Sequence, residues 1–511
     1  MKLLRFLGIP GVKHVNRLLT LSLKKPLETQ QKLLSKILKV NKNTRFGKTH
    51  NFERIKSIRQ YQSEVSPHSY EYFQPYIDDM TRGETSILIP GNPVYWGVTA
   101  GSTGEPKIVP ITRNSIRNAM LGSLKIYLSY IAENPRVNSK LLDGVVCFFN
   151  ADPSLKYING IPVGFGTGVL SKSTANQFWS PLIKNLSYSM AHLYQIKDTK
   201  KRVERLAFET TQKDIRVFGG VTSVIIMFIE DILKYAQRKN PNIKYLKEVF
   251  PNIQLSVCGG ESARFYEPRF NMIVGKKIDF REVYGATEEI IAVQLQEEPG
   301  FTPLLDVNFL EFIPVNSDEC LLIHEVERGV DYRIIITNYN GFYCYKIGDV
   351  IRFTQMDPPL LVFSHREGSI NIGSANTTVK QINSSFADTN KEHDCALFEY
   401  CVVGKYDPLP HFVIVVEFLT GKEPQNEVEY LKSFTKYLEK YNPTYSEIMQ
   451  KTRSMAKPVL WIVEKGTFKK IEEKKLAEGA RLGQQKVKHL SLDLTILKQF
   501  EEHVEKEIRI N

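Results

Sequence analysis

Apolar residues recur at helical spacing in T-Q-Q-K-L-L-S-K-I-L, residues 29–38, which predicts a helix opening near Pro26. The stretch N-T-R-F-G-K-T-H, residues 43–50, breaks that period. A short apolar run at 87–90 leads toward a glycine-rich segment, and residues 115–130 read as a helix opened by the polar cap at 112–114. Strand, loop and helix in that order suit an anion-binding loop. Further on, apolar runs at 145–149, 217–218, 253–258 and 280–284 alternate with helical patterns around 189–196, 221–235 and 265–273, which predicts an α/β body. From 301 to 353 the runs become close-set, with turns at 327–329 and 338–341, so an antiparallel sheet or small barrel is expected beside that body. A polar segment at 365–374 follows. Strands at 398–404, 411–419 and 458–464 and a helix at 428–441 then predict a smaller α+β domain. The expected division is 1–370 and 371–511, since the final ~140 residues suffice for a core of their own.

Composition narrows the class. The 511 residues are 42% hydrophobic and 24% charged, an ordinary globular balance in a chain long enough for more than one domain. A net charge of +12 favours an anionic partner without choosing between nucleotide, nucleic acid and membrane surface. No aromatic or zinc motif for nucleic acid accompanies that charge, so no nucleic-acid partner is expected. The 6 cysteines are scattered and form no C-x-x-C pair, which argues for reduced thiols in a cytoplasmic protein rather than a disulfide scaffold or a zinc site. No apolar run reaches the ~20 residues that span a bilayer, so no stable membrane insertion is expected. The opening M-K-L-L-R-F-L-G-I-P-G-V-K lacks a convincing small-residue cleavage site and is expected to pack back on the body, with peripheral membrane contact as the alternative.

The segment V-T-A-G-S-T-G-E-P-K-I-V-P-I, residues 98–111, can turn tightly and present backbone N–H groups, two hydroxyls and an ammonium to one set of oxyanions. Its candidates for phosphate are Thr99, Gly101, Ser102, Thr103, Gly104 and Lys107. It is not a Walker loop, because Lys107 does not follow Gly104 directly. In V-Y-G-A-T-E-E, a strand running into Gly285 would end at a crevice. There Tyr284 can stack on a flat ring, Thr287 can reach a phosphate and Glu288 can hold Mg²⁺, although a capped helix start explains T-E-E equally well. Asp349 in Y-K-I-G-D-V can accept from ribose hydroxyls, and Arg366 offers a fixed cationic fork for ribose or phosphate or for an inter-domain ion pair. In the tail G-Q-Q-K-V-K, Lys486 and Lys488 alternate, and a mobile domain can carry one of them to a reacting carboxylate and α-phosphate.

Together these motifs resemble the adenylate-forming enzymes, and among them the auxin-responsive acyl acid amido synthetase family. The loop T-A-G-S-T-G-E-P-K, V-Y-G-A-T-E-E and F-Y-C-Y-K-I-G-D-V carry the likeness, with N-T-R-F-G near the start, F-L-E-F-I-P at 309–314, and K-G-T-F and G-Q-Q-K late in the chain. The motifs keep the family's order over nearly the whole length. The resemblance implies an N-terminal ATP- and acyl-acid-binding domain and a mobile C-terminal domain. It implies activation of a carboxylic acid as an acyl-adenylate with release of pyrophosphate, then transfer of the acyl group to an amine, commonly that of an amino acid. It places Ser102, Thr103 and Lys107 on phosphate, Tyr284 and Thr287 beside adenine and phosphate, Glu288 on the metal, Asp349 on ribose, Arg366 on the hinge side, and Lys486 on adenylation. Ala100 stands where serine is usual and Lys346 where arginine is common. Val487 and Lys488 replace a threonine-proline-arginine continuation, which makes Lys488 the second candidate for the catalytic lysine.

The chemistry asks for such residues irrespective of family. A carboxylate brought within ~4 Å of a negative phosphate is repelled by about 4 kcal/mol at an effective dielectric near 20. A metal on Glu288 and a lysine ammonium offset that repulsion, and no activated protein nucleophile is needed. Residues 145–149 and 218–222 are expected to line an apolar or aromatic acyl pocket, and Gly164, Gly166 and Gly168 either let a loop approach the substrate or form a plain bend. His365 and His324 read as structural. A coenzyme A ligase would share the first half-reaction, and a non-enzymatic nucleotide-binding protein would have little use for Lys486.

Overall fold

A computed structural model describes residues 14, 17, 21–99, 107–149, 156–165, 187–260, 263–366, 369–452, 454–471 and 489–510. The chain divides into two compact units, the larger Met1–Thr99 with Ile108–Glu367 and the smaller Ala100–Lys107 with Gly368–Asn511.

The larger unit opens with the helix Pro26–Asn41, whose Leu33, Leu34, Ile37 and Leu38 are buried along one face. The break at 43–50 is itself one helical turn, Arg45–Thr49, capped by the Thr44 side chain accepting from the Gly47 N–H. Phe46 stacks on Tyr343 with ring centroids 4.7 Å apart, so N-T-R-F-G is scaffold. Ile87, Leu88 and Ile89 of the apolar run are buried but form no strand. Strand β1 is instead Tyr95–Thr99, and a second strand, β2 (Lys107–Ile111), precedes the helix Arg113–Glu133 capped by Thr112. The order is therefore strand, loop, strand, helix. Pro93 lacks an N–H and delays pairing until Val94, whose N–H meets the Ile111 carbonyl at 2.9 Å.

Strands β3 (Val145–Phe149), β4 (Lys156–Ile158), β5 (Ile161–Phe165), β6 (Ser187–Ser189), β7 (Ile215–Val221), β8 (Leu255–Gly259), β9 (Asp279–Ala286), β10 (Glu289–Val293) and β11 (Thr302–Pro303) complete two sheets. The smaller has the order β2-β1-β5-β4, and the larger β11-β10-β9-β8-β7-β3-β6. Strands β6, β3, β7, β8 and β9 run parallel, joined through the helices Thr199–Thr211, Thr222–Lys239 and Ala263–Val274. The pattern at 189–196 folds as a 3₁₀ helix, Met190–Gln195.

Four further strands, β12 (Phe309–Pro314), β13 (Asp331–Thr337), β14 (Tyr345–Met356) and β15 (Pro359–Arg366), pair antiparallel in sequence order. The barrel-like part expected here is thus an open sheet with β12 at one edge. β15 also runs through the start of the supposed polar segment, since its register with β14 continues to Arg366.

The smaller unit contains the hairpin β16 (Ser369–Ile372) and β17 (Ala375–Thr378) and a five-stranded sheet. The sheet is built from β18 (Leu397–Lys405), β19 (His411–Phe418), β20 (Val459–Val463), β21 (Leu490–Ser491) and β22 (Val504–Arg509), in the order β21-β18-β19-β20-β22. Every side chain of β19 is buried, and the helices Val379–Glu392 and Glu427–Tyr441 contribute Phe386, Leu431 and Phe434 to its core. Among the described residues no helix is long and apolar enough to cross a membrane.

Candidate active site

β9 and β10 form a hairpin in which Ala286 pairs with Glu289, leaving Thr287 and Glu288 as the turn. The T-E-E segment is therefore no helix start: the I-I-A-V that follows is β-branched and apolar and continues as a strand. Glu288 is only 3% exposed. Its Oε1 accepts from the Tyr345 hydroxyl at 3.0 Å, and its main-chain carbonyl accepts from Asn338 Nδ2 at 3.1 Å and Asn340 Nδ2 at 2.9 Å. Asn340 reaches the other way too. Its Oδ1 accepts from the Thr112 N–H at 2.8 Å, and its Nδ2 donates to Ser115 Oγ at 2.8 Å. The turn is thereby fixed to the first residues of helix Arg113–Glu133. The neighbouring Glu289 is buried, which pushes its carboxyl up to about 8, against the opposing effects of Ser115 and the Ile290 N–H.

The strand that enters the glycine-rich segment lies against this turn. A Cβ added at Gly97 of β1 would fall 2.5 Å from Thr287 Cγ2, so only glycine lets the two approach so closely. On the far side of the segment, Tyr70 brackets β2. Its hydroxyl accepts from the Ile108 N–H at 3.0 Å and donates to the Ile108 carbonyl at 2.9 Å. Burial pushes that phenol up to about 12.

A second cluster is built on β14 and β15, where Asp349 is the register partner of Arg366. Arg366 Nε lies 3.1 Å from Asp349 Oδ1, the Tyr284 hydroxyl donates to Asp349 Oδ2 at 2.8 Å, and Arg366 Nη2 donates to the Ile347 carbonyl at 2.9 Å. Burial raises the Asp349 carboxyl above its ordinary range, with Arg366 and then Tyr284 pulling against it. A carboxylate has about four lone-pair directions and two are used here, which leaves acceptor capacity for hydroxyl donors. The Tyr284 ring is buried, with the tilted rings of Phe301 and Phe363 at centroid distances of 5.8 and 5.9 Å. Its clearest contribution is to hold Asp349.

Of the residues singled out in the sequence, the structure brings Tyr284, Gly285, Thr287, Glu288, Asp349 and Arg366 into these two clusters. Gly285 is needed by the hairpin itself, because a Cβ there would meet Ile290 Cα at 3.0 Å. Thr99 ends β1 and Lys107 begins β2. Gly101, Ser102, Thr103, Gly104, Ala100, Gly166, Gly168, Lys486 and Lys488 lie outside the described residues. Phe149 and Phe218, from the two segments expected to line the acyl pocket, are buried core residues with ring centroids 5.8 Å apart. Phe148 is half-buried and lies over Gly219, where a Cβ would sit 2.7 Å from its ring. Asn338, Asn340, Tyr345 and Tyr70 carry none of the sequence expectations, yet they orient the others. The one signal for the asparagines is that N-Y-N-G puts two amides at a turn whose ends are apolar, where both become fully buried.

The donor at the hairpin turn is a carboxylate oriented by a hydroxyl, with no sulfur or imidazole among its hydrogen-bond partners in the described residues. It fits a hard, oxygen-preferring cation such as Mg²⁺. Models of the GH3 family N-terminal, central and C-terminal domains match residues 16–227, 301–366 and 379–494, together more than half of the chain and in the same order. Indole-3-acetic acid-amido synthetase GH3.4 of Arabidopsis thaliana is 21% identical over 90% of this chain and 89% of its own length. A solved acyl acid amido synthetase in complex with 2,4-DB superposes with a TM-score of 0.60 at 18% identity, covering 98% of this chain and 97% of the other. A 2-hydroxyisobutyryl-CoA ligase superposes with a TM-score of 0.56 at 12% identity, covering 93% and 92%. With its three domain models matched in order, the chain belongs to the GH3 family of adenylate-forming ligases.

Proposed function

We propose that the protein is an ATP-dependent acyl acid amido synthetase. It adenylates a small apolar or aromatic carboxylic acid with release of pyrophosphate, then passes the acyl group to the amine of an amino acid. The reading is carried by the contact of Gly97 with Thr287, which sets the strand entering the glycine-rich segment against the turn that bears Glu288. In this scheme Ser102, Thr103 and Lys107 orient the phosphates together with Thr287. Glu288 holds Mg²⁺, which supplies charge neutralisation at the phosphates. Tyr345 fixes the Glu288 carboxylate, Asp349 accepts from the ribose hydroxyls, and Arg366 keeps Asp349 ionised and in place. Lys486 of the C-terminal domain, with Lys488 as the alternative, offsets the repulsion between the attacking carboxylate and the α-phosphate.

The choice of amine over coenzyme A follows the family and the names of its curated relatives, which are amido synthetases. The fold is shared with a coenzyme A ligase, so thioester formation is the competing second half-reaction. The test is a pyrophosphate-release screen of carboxylic acids with ATP, followed by mass detection of products made with pooled amino acids or with coenzyme A. Amide products support the proposal, and thioester alone overturns its second half. Lys486→Ala is expected to abolish pyrophosphate release on the active acid while ATP binding persists. Unchanged release in Lys486→Ala together with loss in Lys488→Ala would transfer the role to Lys488.

A further inference from the structure

Cysteines that are far apart in sequence meet where the antiparallel sheet folds back. Cys320 precedes Leu321, which bridges to Phe312 of β12, and Cys344 immediately precedes β14. Between them stands Glu311 of β12, which is fully buried. One ligand atom from each of Glu311, Cys320 and Cys344 lies within 4.8 Å of the other two. Cys344 Sγ is 3.5 Å from Glu311 Oε2, and Gln62 Nε2 donates to Glu311 Oε1 at 2.9 Å and to the Cys320 carbonyl at 3.2 Å.

Burial raises the Glu311 carboxyl above its ordinary range, against the pull of Gln62 and the two thiols, and a cation held at the site would offset the cost of ionising it. Among the described residues the groups that hydrogen-bond to Glu311 are Gln62 and the two thiols, none of them positively charged. The spacing also fits one ion. With Zn–S near 2.3 Å and Zn–O near 2.0 Å, a tetrahedral ion sets its sulfur and oxygen ligands about 3.5 Å apart and two sulfurs about 3.8 Å apart. Two thiolates with a carboxylate suit borderline-soft zinc better than Mg²⁺ or Ca²⁺, which take oxygen ligands. Cys320 is half-buried, next to exposed Asp318 and Glu319, and gives the ion a way in.

We propose that Glu311, Cys320 and Cys344 form a zinc site, separate from the Mg²⁺ assigned to Glu288. Binding converts both thiols to thiolates and holds the Glu311 carboxyl ionised, with every proton so displaced leaving to solvent. The ion gains two Zn–S bonds and one Zn–O bond, and a non-protein ligand completes the tetrahedron. No redox change is involved. The site ties β12 to the first residue before β14, the strand that carries Tyr345 and Asp349. It would hold Cys344 in the left-handed conformation it adopts at φ 49°.

The test uses the full chain, purified under reducing conditions, stripped with a chelator and reloaded with Zn²⁺ or Co²⁺ alone. One zinc per chain by elemental mass spectrometry and a thiolate-to-cobalt charge-transfer band are expected. Glu311→Gln and Cys320→Ser should each weaken zinc binding by more than the roughly 10–100-fold typical of changes outside the ligand shell, and Cys147→Ser should not. Zinc should also protect Cys320 of the unmutated chain from alkylation, a readout that does not depend on any variant folding. Substoichiometric zinc, full zinc retention in Cys320→Ser, or a Cys320–Cys344 disulfide in the chain isolated under reducing conditions would each overturn the site.

Discussion

Tyr345 donates its phenolic hydrogen to Glu288 across 3.0 Å, linking the first residue of β14 to the turn between β9 and β10. Tyr345→Phe keeps the ring packed on Phe342, with centroids 4.5 Å apart, and deletes only that donor. A hydrogen bond to a charged group contributes about 1.5–3 kcal/mol, so the Glu288 carboxylate becomes mobile by an amount worth roughly 10–100-fold. Pyrophosphate release measured against Mg²⁺ concentration should show a raised metal requirement and a lower rate. An unchanged Mg²⁺ curve would mean that Tyr345 does not orient the metal ligand.

Asp349 is buried and its partner Arg366 half-buried, and the sign of their pH dependence follows from which partner is removed. Burial holds the Asp349 carboxyl above its ordinary range, so its contribution to stability is fully present below the unfolded pKa and is lost as pH rises through the folded value. Arg366 opposes that rise; in Arg366→Met the folded value climbs further and the loss extends to higher pH. Removing one partner of a buried pair costs about 3–5 kcal/mol when the other stays charged. Urea midpoints of wild type and variant should therefore diverge from acid toward neutral pH. A gap of constant size across that range would contradict an ionised Asp349 in the native protein.

Much of this architecture is visible in the sequence, because it depends on local pattern. The parallel strands β3, β7, β8 and β9 are apolar runs between helical segments, and Thr112 announces its helix by capping chemistry. What escapes the sequence depends on non-local pairing. T-E-E reads as a helix start until Ala286 is seen to pair with Glu289, and the run at 87–90 reads as a strand until Pro93 is seen to postpone pairing. Tyr284 reads as a stacking platform, and nothing local shows that its hydroxyl is donated to Asp349. Cys320 and Cys344 look scattered because nothing local tells which strands return beside one another.

Asn340 joins three pieces of backbone, so its loss should be felt in both stability and catalysis. Asn340→Ala strips the Thr112 N–H, Ser115 Oγ and the Glu288 carbonyl of a buried partner. Each buried polar group left unsatisfied costs about 1–3 kcal/mol, although Asn338 still serves the Glu288 carbonyl and water relieves part of the rest. A net destabilisation of roughly 2–4 kcal/mol by urea titration is expected, with a fall in adenylation at temperatures where the variant remains folded. A variant as stable and as active as wild type would show that the turn is held by other contacts.

The approach of β1 to the Thr287–Glu288 turn can be tested with one added methyl and one removed. Gly97→Ala places a Cβ 2.5 Å from Thr287 Cγ2, well inside contact distance, and 3.4 Å from Ile111 Cδ1, which is ordinary contact. Overpacking of this kind costs about 1–3 kcal/mol, and here the strain falls between the strand entering the glycine-rich segment and the turn bearing Glu288. Thr287→Ser removes Cγ2 and keeps the hydroxyl assigned to phosphate, so alone it should be mild. Combined with Gly97→Ala it should restore most of the lost stability and adenylation rate. The coupling energy of the double-mutant cycle is expected at about 1–2 kcal/mol, within the range for residues in contact. Strict additivity of the two substitutions would mean that β1 does not press on the turn, and the assembly of the nucleotide site from these two elements would fail with it.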